Sequence, residues 1–135
     1  MLKVAFIDTG YMRALLDRKD SLHSKAVVID VDAYGRRFTS EFVLTELLAA
    51  FSKSQRQREA AVTYVEYLKT QPSVEIEPAS AQLFRRAFEL FKSRPDKTWS
   101  LIDCSSFIIM EDNRIEDALT GDDDFRQAGF KPMIC

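Results

Sequence analysis

Histidine is almost absent from this chain: His23 is the single imidazole, and no serine, cysteine or acid is arranged around it in a recognisable way. A histidine-based catalytic triad therefore finds no support. Glycine is equally sparse, with four residues scattered at positions 10, 35, 121 and 129. No Gly-rich phosphate loop can be built from them, so a nucleoside triphosphate is not implied. The two cysteines, Cys104 and Cys135, have no metal-site spacing. They argue against a disulfide framework and for a reduced, cytoplasmic protein. Long apolar runs are missing too. The five apolar residues between Met1 and Asp8 are too few for a signal-peptide core or a membrane span. Charge of one sign is also lacking, since the formal net charge is −2. Bulk basicity is thus not what this chain offers to a nucleic acid. A nuclease that holds phosphate through metal ions is still allowed, with lysine and arginine only around its rim.

What is present is ordinary for a globular protein: 135 residues, 46% hydrophobic and 30% charged, without repeats or low-complexity tracts. One domain over residues 1–135 is expected, burying roughly two-thirds of the unfolded surface. Lys3 to Ile7 is a continuous apolar run, the pattern of a strand covered on both faces. Met12, Leu15 and Leu16 then support a short helix, and residues 21–34 a second one, stopped by Gly35. Arg36 to Thr39 is a weak strand, after which Ser40 caps a helix running to about Ser54. Another helix spans Arg56 to Lys69, and Val74 to Glu77 alternates like a half-exposed edge strand. Ser80 introduces a helix to about Phe91 whose buried side is expected to be Leu83, Phe84, Ala87, Phe88 and Phe91. Residues 92–98 form a loop, Ser100 caps a helix from Leu101 to about Asp112, and Ala118 to Thr120 and Pro132 to Cys135 supply short strands. This alternation predicts an α/β fold: a three-layer α/β/α sandwich with a central, mostly parallel sheet.

Four carboxylates stand out against that frame. Asp8 and Asp122 each follow an apolar strand, and parallel α/β sheets bind ligands beyond the C-terminal ends of their strands. Asp103 opens a helix, and Glu46 shares a helical face with Phe42, Val43, Ala49 and Ala50. Each has a plain structural alternative. Asp8 could cap the next helix, Asp103 could answer Ser100, Asp122 could begin a solvated turn and Glu46 could snorkel to water. Their coincidence favours a common site. Like charges held close raise one another's proton affinity and cost stability unless a cation joins them. Oxygen-only ligation selects Mg2+ or Mn2+ over zinc. Two rival motifs are weaker: Asp8-Thr9-Gly10 matches the short signature of β-rich aspartic proteases, and an acidic strand end suits a receiver domain, whose second acidic pair and strand-end lysine are not evident.

The ordered set Ile7-Asp8-Thr9, Thr45-Glu46, Trp99-Ser100-Leu101-Ile102-Asp103-Cys104 and Ala118-Leu119-Thr120-Gly121-Asp122, ending with residues 125–130, resembles the PIN domain family, close to its VapC type. SLIDCSSFIIM and ALTGDDDFRQAGF carry the specific part of that resemblance, and the likeness runs essentially end to end. It implies an Mg2+- or Mn2+-dependent endoribonuclease in which Asp8, Glu46, Asp103 and Asp122 match the four acidic positions, and Thr9 and Thr120 the neighbouring hydroxyls. Asp8, Asp103 and Asp122 would hold the principal ion, with Glu46 orienting water or helping to hold a second ion. Asp124 ranks as a further candidate ligand ahead of Asp123, which should face solvent. Arg13, Lys92, Arg94, Lys97 and Arg126 are candidates for a basic substrate rim, each with the alternative of a solvated surface charge. The resemblance also implies a homodimer and a small cognate antitoxin, hence the toxin of a type II toxin-antitoxin pair. The alternatives are an interaction module with weak or dormant nuclease activity and a housekeeping RNA-processing nuclease.

Overall fold

An unbroken Val-Ala-Phe-Ile run gives a strand no polar face to turn to water, and β1 (Lys3–Ile7) accordingly lies mid-sheet with Ala5, Phe6 and Ile7 buried. In the computed structural model, which describes residues 3–135, it is joined by β2 (Tyr34–Ser40), β3 (Val74–Glu77), β4 (Asp117–Leu119) and β5 (Lys131–Pro132). The order is β3-β2-β1-β4-β5, and every pairing is parallel.

Helices make each crossover. α1 (Thr9–Leu16) and α2 (His23–Val27) join β1 to β2, and α3 (Glu41–Ala50) and α4 (Gln55–Thr70) join β2 to β3. α5 (Ala81–Ser93) and α6 (Leu101–Asp112) lead from β3 to β4, and α7 (Asp123–Gln127) leads to β5. Parallel crossovers are right-handed, which places α1 to α4 on one face of the sheet and α5 to α7 on the other. The direction of winding reverses between β1 and β4, and a crevice opens there beyond the strand ends. Serine starts the long helices, as the sequence predicts at Ser40, Ser80 and Ser100: these three and Ser54 each accept a hydrogen bond from the backbone N–H three residues on.

Three expectations are corrected. The helix expected to reach Ser54 stops at Ala50, and Ser54 instead caps α4. Residues 21–34 do not form one helix. α2 covers five residues, a 3-10 turn follows at Val31–Ala33, and Tyr34 and Gly35 already belong to β2. The β-branched run Val27-Val28-Ile29 disfavours helix, and Val28 is 78% exposed, so the apolar spacing there marks no buried face. Tyr34 is fixed instead as a strand residue whose hydroxyl donates to Asp117 at 3.0 Å. On α5, Leu83 and Ala87 are buried, but Phe84, Phe88 and Phe91 are each nearly half exposed. The apolar set on this helix is wider than the stripe its contact with α6 covers.

The core on the α6 side is aromatic. Phe107 of α6 meets Trp99 and Phe125 edge-on at centroid distances of 5.1 and 4.9 Å, and lies 5.7 Å from Phe130. This cluster locks the start of α6 to the segment carrying α7.

Candidate active site

The register of β1 against β4 pairs Ile7 with Leu119, so the residues that follow, Asp8 and Thr120, emerge side by side from the sheet. Their contact is direct: Thr120 Oγ1 donates to Asp8 Oδ2 at 2.8 Å, and the same hydroxyl oxygen accepts from Asp122 N at 3.2 Å. Asp8 occupies the cap position of α1 but makes no side-chain capping bond, so the plain capping role does not account for it. It is only 5% exposed. Burial pushes its carboxyl up to about 7, helped by the charges of Asp103 and Glu46 and opposed by the Thr120 hydroxyl and the Thr9 backbone.

Asp103 comes from the opposite side of the crevice, on the first turn of α6. Here the structural role is real. Asp103 Oδ2 accepts from Ser100 N at 3.0 Å while Ser100 Oγ accepts from Asp103 N at 3.0 Å, a complete capping box. The same carboxylate also faces Asp122 and Asp124, and the ligand atoms of the three lie within 4.8 Å of one another. Burial first, then the charges of Asp122 and Asp124, raise Asp103 to about 6. Asp122 caps α7 by accepting from Asp124 N at 2.9 Å. Asp124 is itself raised, by burial and by Asp122 and Asp123, and lowered by Lys97. Among the described residues none of Asp8, Asp103, Asp122 and Asp124 forms an ion pair.

The set of neighbours differs in one respect from the expectation. The tight trio is Asp103, Asp122 and Asp124, whereas Asp8 lies outside that 4.8 Å group and adjoins it through Thr120 and the field of Asp103. Glu46, half-buried on α3, reaches the site through its effect on Asp8. Thr9 is buried, and its hydroxyl points to Val43 O at 3.5 Å. Asp123 faces solvent and pairs with Arg126 at 2.8 Å and Gln127 at 3.2 Å. It is held below its ordinary value by those partners. Of the rim candidates, Arg126 is engaged by Asp123 and Cys135, Arg94 by Asp96, and Lys92 by Glu89. Among the described residues Lys97 has no such pair, and it acts on Asp124. Arg13 is exposed on α1.

Two contributors were not singled out by sequence reasoning. Gly121 lets the β4 turn pass Leu22, whose Cδ1 would lie 2.3 Å from an added Cβ. Thr39, fully buried, donates to Ile7 O at 2.8 Å and so ties β2 to the carbonyl just before Asp8. A threonine in a weak strand carries no signal of that role.

A donor set of carboxylates, mutually repelling and without an internal cation to pair them, fits a hard divalent ion coordinated by oxygen. In Asp103 and Asp122 one oxygen is tied by a backbone N–H, which holds each carboxylate in place within the group.

Comparison with known proteins agrees with the geometry. The model of the PIN domain family matches residues 5–131. The 23S rRNA-specific endonuclease VapC20 of Mycobacterium tuberculosis is 29% identical over 125 residues, covering 93% of this chain and 94% of that protein. The crystal structure of VapC20, described as a sarcin-ricin loop cleaving toxin, superposes with a TM-score of 0.83 at 27% identity, over 93% of this chain and 95% of that one. VapBC2 from Rickettsia felis, solved bound to a DNA fragment from its promoter, shares the fold at TM-score 0.60 and 17% identity, over 96% of both chains.

Proposed function

The chain belongs to the PIN domain family, and from that premise we propose that it is a divalent-metal-dependent endoribonuclease acting as the toxin of a two-protein toxin-antitoxin pair. The observation that carries this reading is the convergence of Asp103, Asp122 and Asp124 within 4.8 Å, with Asp8 beside them at the point where the sheet reverses its winding. The similarity to an endonuclease named for 23S rRNA makes structured RNA the preferred substrate class.

Asp103, Asp122 and Asp124, with Asp8 adjoining, would hold Mg2+ or Mn2+. When bound, such an ion supplies positive charge for the scissile phosphate and an activated water at neutral pH. The chain's own side chains do the rest. Thr120 keeps one oxygen of Asp8 in place, and the α6 capping box keeps Asp103 from swinging away. Glu46, half-buried on α3 and close enough to act on Asp8, would orient the attacking water. Lys97, near enough to act on Asp124, would meet the substrate's phosphate at the edge of the acidic group. Manganese should support cleavage of total cellular RNA, and excess EDTA should silence it. Unchanged cleavage in EDTA would sink the metal mechanism.

The single domain is proposed to work as a homodimer. Phe84 and Phe88 stack at 6.3 Å between centroids and form an apolar stripe, nearly half exposed, on the surface of α5. Arg86, Glu89, Lys92 and Asp112 flank it with both signs of charge. A two-fold contact joins a patch to itself, and a stripe edged by both signs is self-complementary. Phe88→Glu is expected to convert the dimer to a monomer in size-exclusion chromatography with light scattering. The monomer should stay folded, with the circular dichroism spectrum of the parent, and should lose only the stability that association supplies. A Phe88→Glu protein that still elutes as a dimer would remove α5 from the interface.

The described residues include no helix long and apolar enough to cross a membrane, and Cys104 and Cys135 are both free. Both facts accord with the cytoplasmic location we propose. The antitoxin belongs to the same proposal: expression should arrest growth, and the small protein encoded beside this one should relieve it. Harmless expression of an active enzyme would favour a housekeeping nuclease instead.

A further inference from the structure

Between the end of α5 and the start of α6 the chain folds around a cavity of about 270 Å³ lined by Phe91, Lys92, Arg94, Pro95, Lys97 and Trp99. It is smaller than the roughly 300–1,000 Å³ of pockets for drug-sized ligands, a size for one flat group rather than a whole cofactor. Its chemistry is mixed. Phe91 and Pro95 present exposed apolar surface, and three cations stand around them. Two of the cations are arranged on the tryptophan, while Lys92 turns to Phe88 and Glu89. Arg94 Cζ lies 5.1 Å and Lys97 Nζ 5.7 Å from the centre of the Trp99 ring, and Asp96 fixes the Arg94 guanidinium through two bonds of 2.9 Å. Trp99 in turn is buried against Phe107. A buried indole N–H without an acceptor, as at Trp99 Nε1, gains nothing as a hydrogen bond. What the indole provides is a broad face on which two cations are held.

Planar, apolar walls beside an ordered guanidinium are what an unstacked nucleobase needs, because bases stack on aromatic rings and on arginine planes alike. The cavity also has a fixed relation to the acidic group. Trp99 immediately precedes Ser100, whose capping box holds Asp103, and Lys97 is near enough to act on Asp124. We propose that this cavity is a nucleotide subsite, taking one unpaired RNA base next to the bond cut at the acidic cluster. Phe91 and Arg94 contact the base, Lys97 bridges toward the neighbouring phosphate, and Trp99 is a positioning residue for both cations. A purely electrostatic rim would need no aromatic wall.

The subsite rests on the endoribonuclease reading, and its test separates the two. Cleavage sites of the wild-type enzyme are mapped in total cellular RNA, and an oligoribonucleotide copied from the strongest site is synthesised with single abasic positions stepped across the scissile bond. One flanking abasic position is expected to raise KM by about 10-fold or more, the scale of losing one stacked base, with kcat little changed. Phe91→Ala and Arg94→Gln should each raise KM on the intact RNA similarly and become insensitive to that abasic position. Equal KM for these variants and the wild type, or an abasic penalty that persists in full in both, would overturn the subsite while leaving the nuclease intact. Failure of the wild type to cut any RNA would overturn the nuclease reading and the subsite with it.

Discussion

Asp103→Asn is expected to lower the rate of RNA cleavage in magnesium by at least about 10²–10³-fold, the scale of losing one pre-organised electrostatic group from an active site. The fold should survive the change. Asparagine keeps an oxygen that can accept from Ser100 N, so the capping box that starts α6 is retained. The lost charge is one that Asp122 and Asp124 repel and that burial disfavours. Activity and stability should therefore move in opposite directions, with cleavage falling while the melting temperature of the metal-free protein holds or rises. Wild-type cleavage rates in Asp103→Asn would remove this carboxylate from the chemistry, whatever the fate of the fold.

Asp8 should govern how the metal-free protein responds to pH. Its carboxyl is raised from 3.8 to about 7, mainly by burial. Across that window the folded chain holds a proton that the unfolded chain has released. Stability is then fully present below the unfolded value, falls as pH rises toward 7 and levels off above it. The shift corresponds to roughly 4 kcal/mol, and Asp103, raised to about 6, adds to it with the same sign. Chemical denaturation from pH 4 to pH 8 in EDTA should show the decline. In Asp8→Asn, which keeps an acceptor for Thr120 but carries no titrating group, the slope should shrink to the share left by Asp103. Added Mg2+ or Mn2+ should restore wild-type stability at pH 8 by binding the folded state. An identical slope in Asp8→Asn would mean that this carboxyl does not set the pH response.

Much of the fold could be read directly. The Lys3 to Ile7 run, the caps at Ser40, Ser80 and Ser100 and the alternation of strands with helices required no long-range information, because apolar periodicity and capping are local properties. Misreadings arose where local pattern and global packing disagreed. Residues 21–34 look helical by spacing, yet Val27 and Val28 are left in water and Tyr34 is claimed by a strand through Asp117. Phe84, Phe88 and Phe91 keep helical register with Leu83 and Ala87 but are only half-covered within one chain, which spacing cannot distinguish from burial.

For the acidic site the division is similar. Identity was local: carboxylates at strand ends, at a helix start and on an otherwise apolar helical face are unusual enough to be picked out one by one. Association was not. Asp8 and Thr120 are 112 positions apart, and they meet only because β1 and β4 pair in one register. Asp124 ranked below Asp8 as a ligand on sequence grounds, whereas the turn into α7 draws it within 4.8 Å of Asp103 and Asp122 and leaves Asp8 just outside that group. By itself the sequence pointed to the type of chemistry, since the carboxylates it sets at strand ends and at a helix start, with no histidine or cysteine spaced to join them, suit a hard cation. The tertiary structure decided which of those oxygens share a space, which is set by strand order, register and the aromatic packing around Phe107, none of which spacing along the chain encodes.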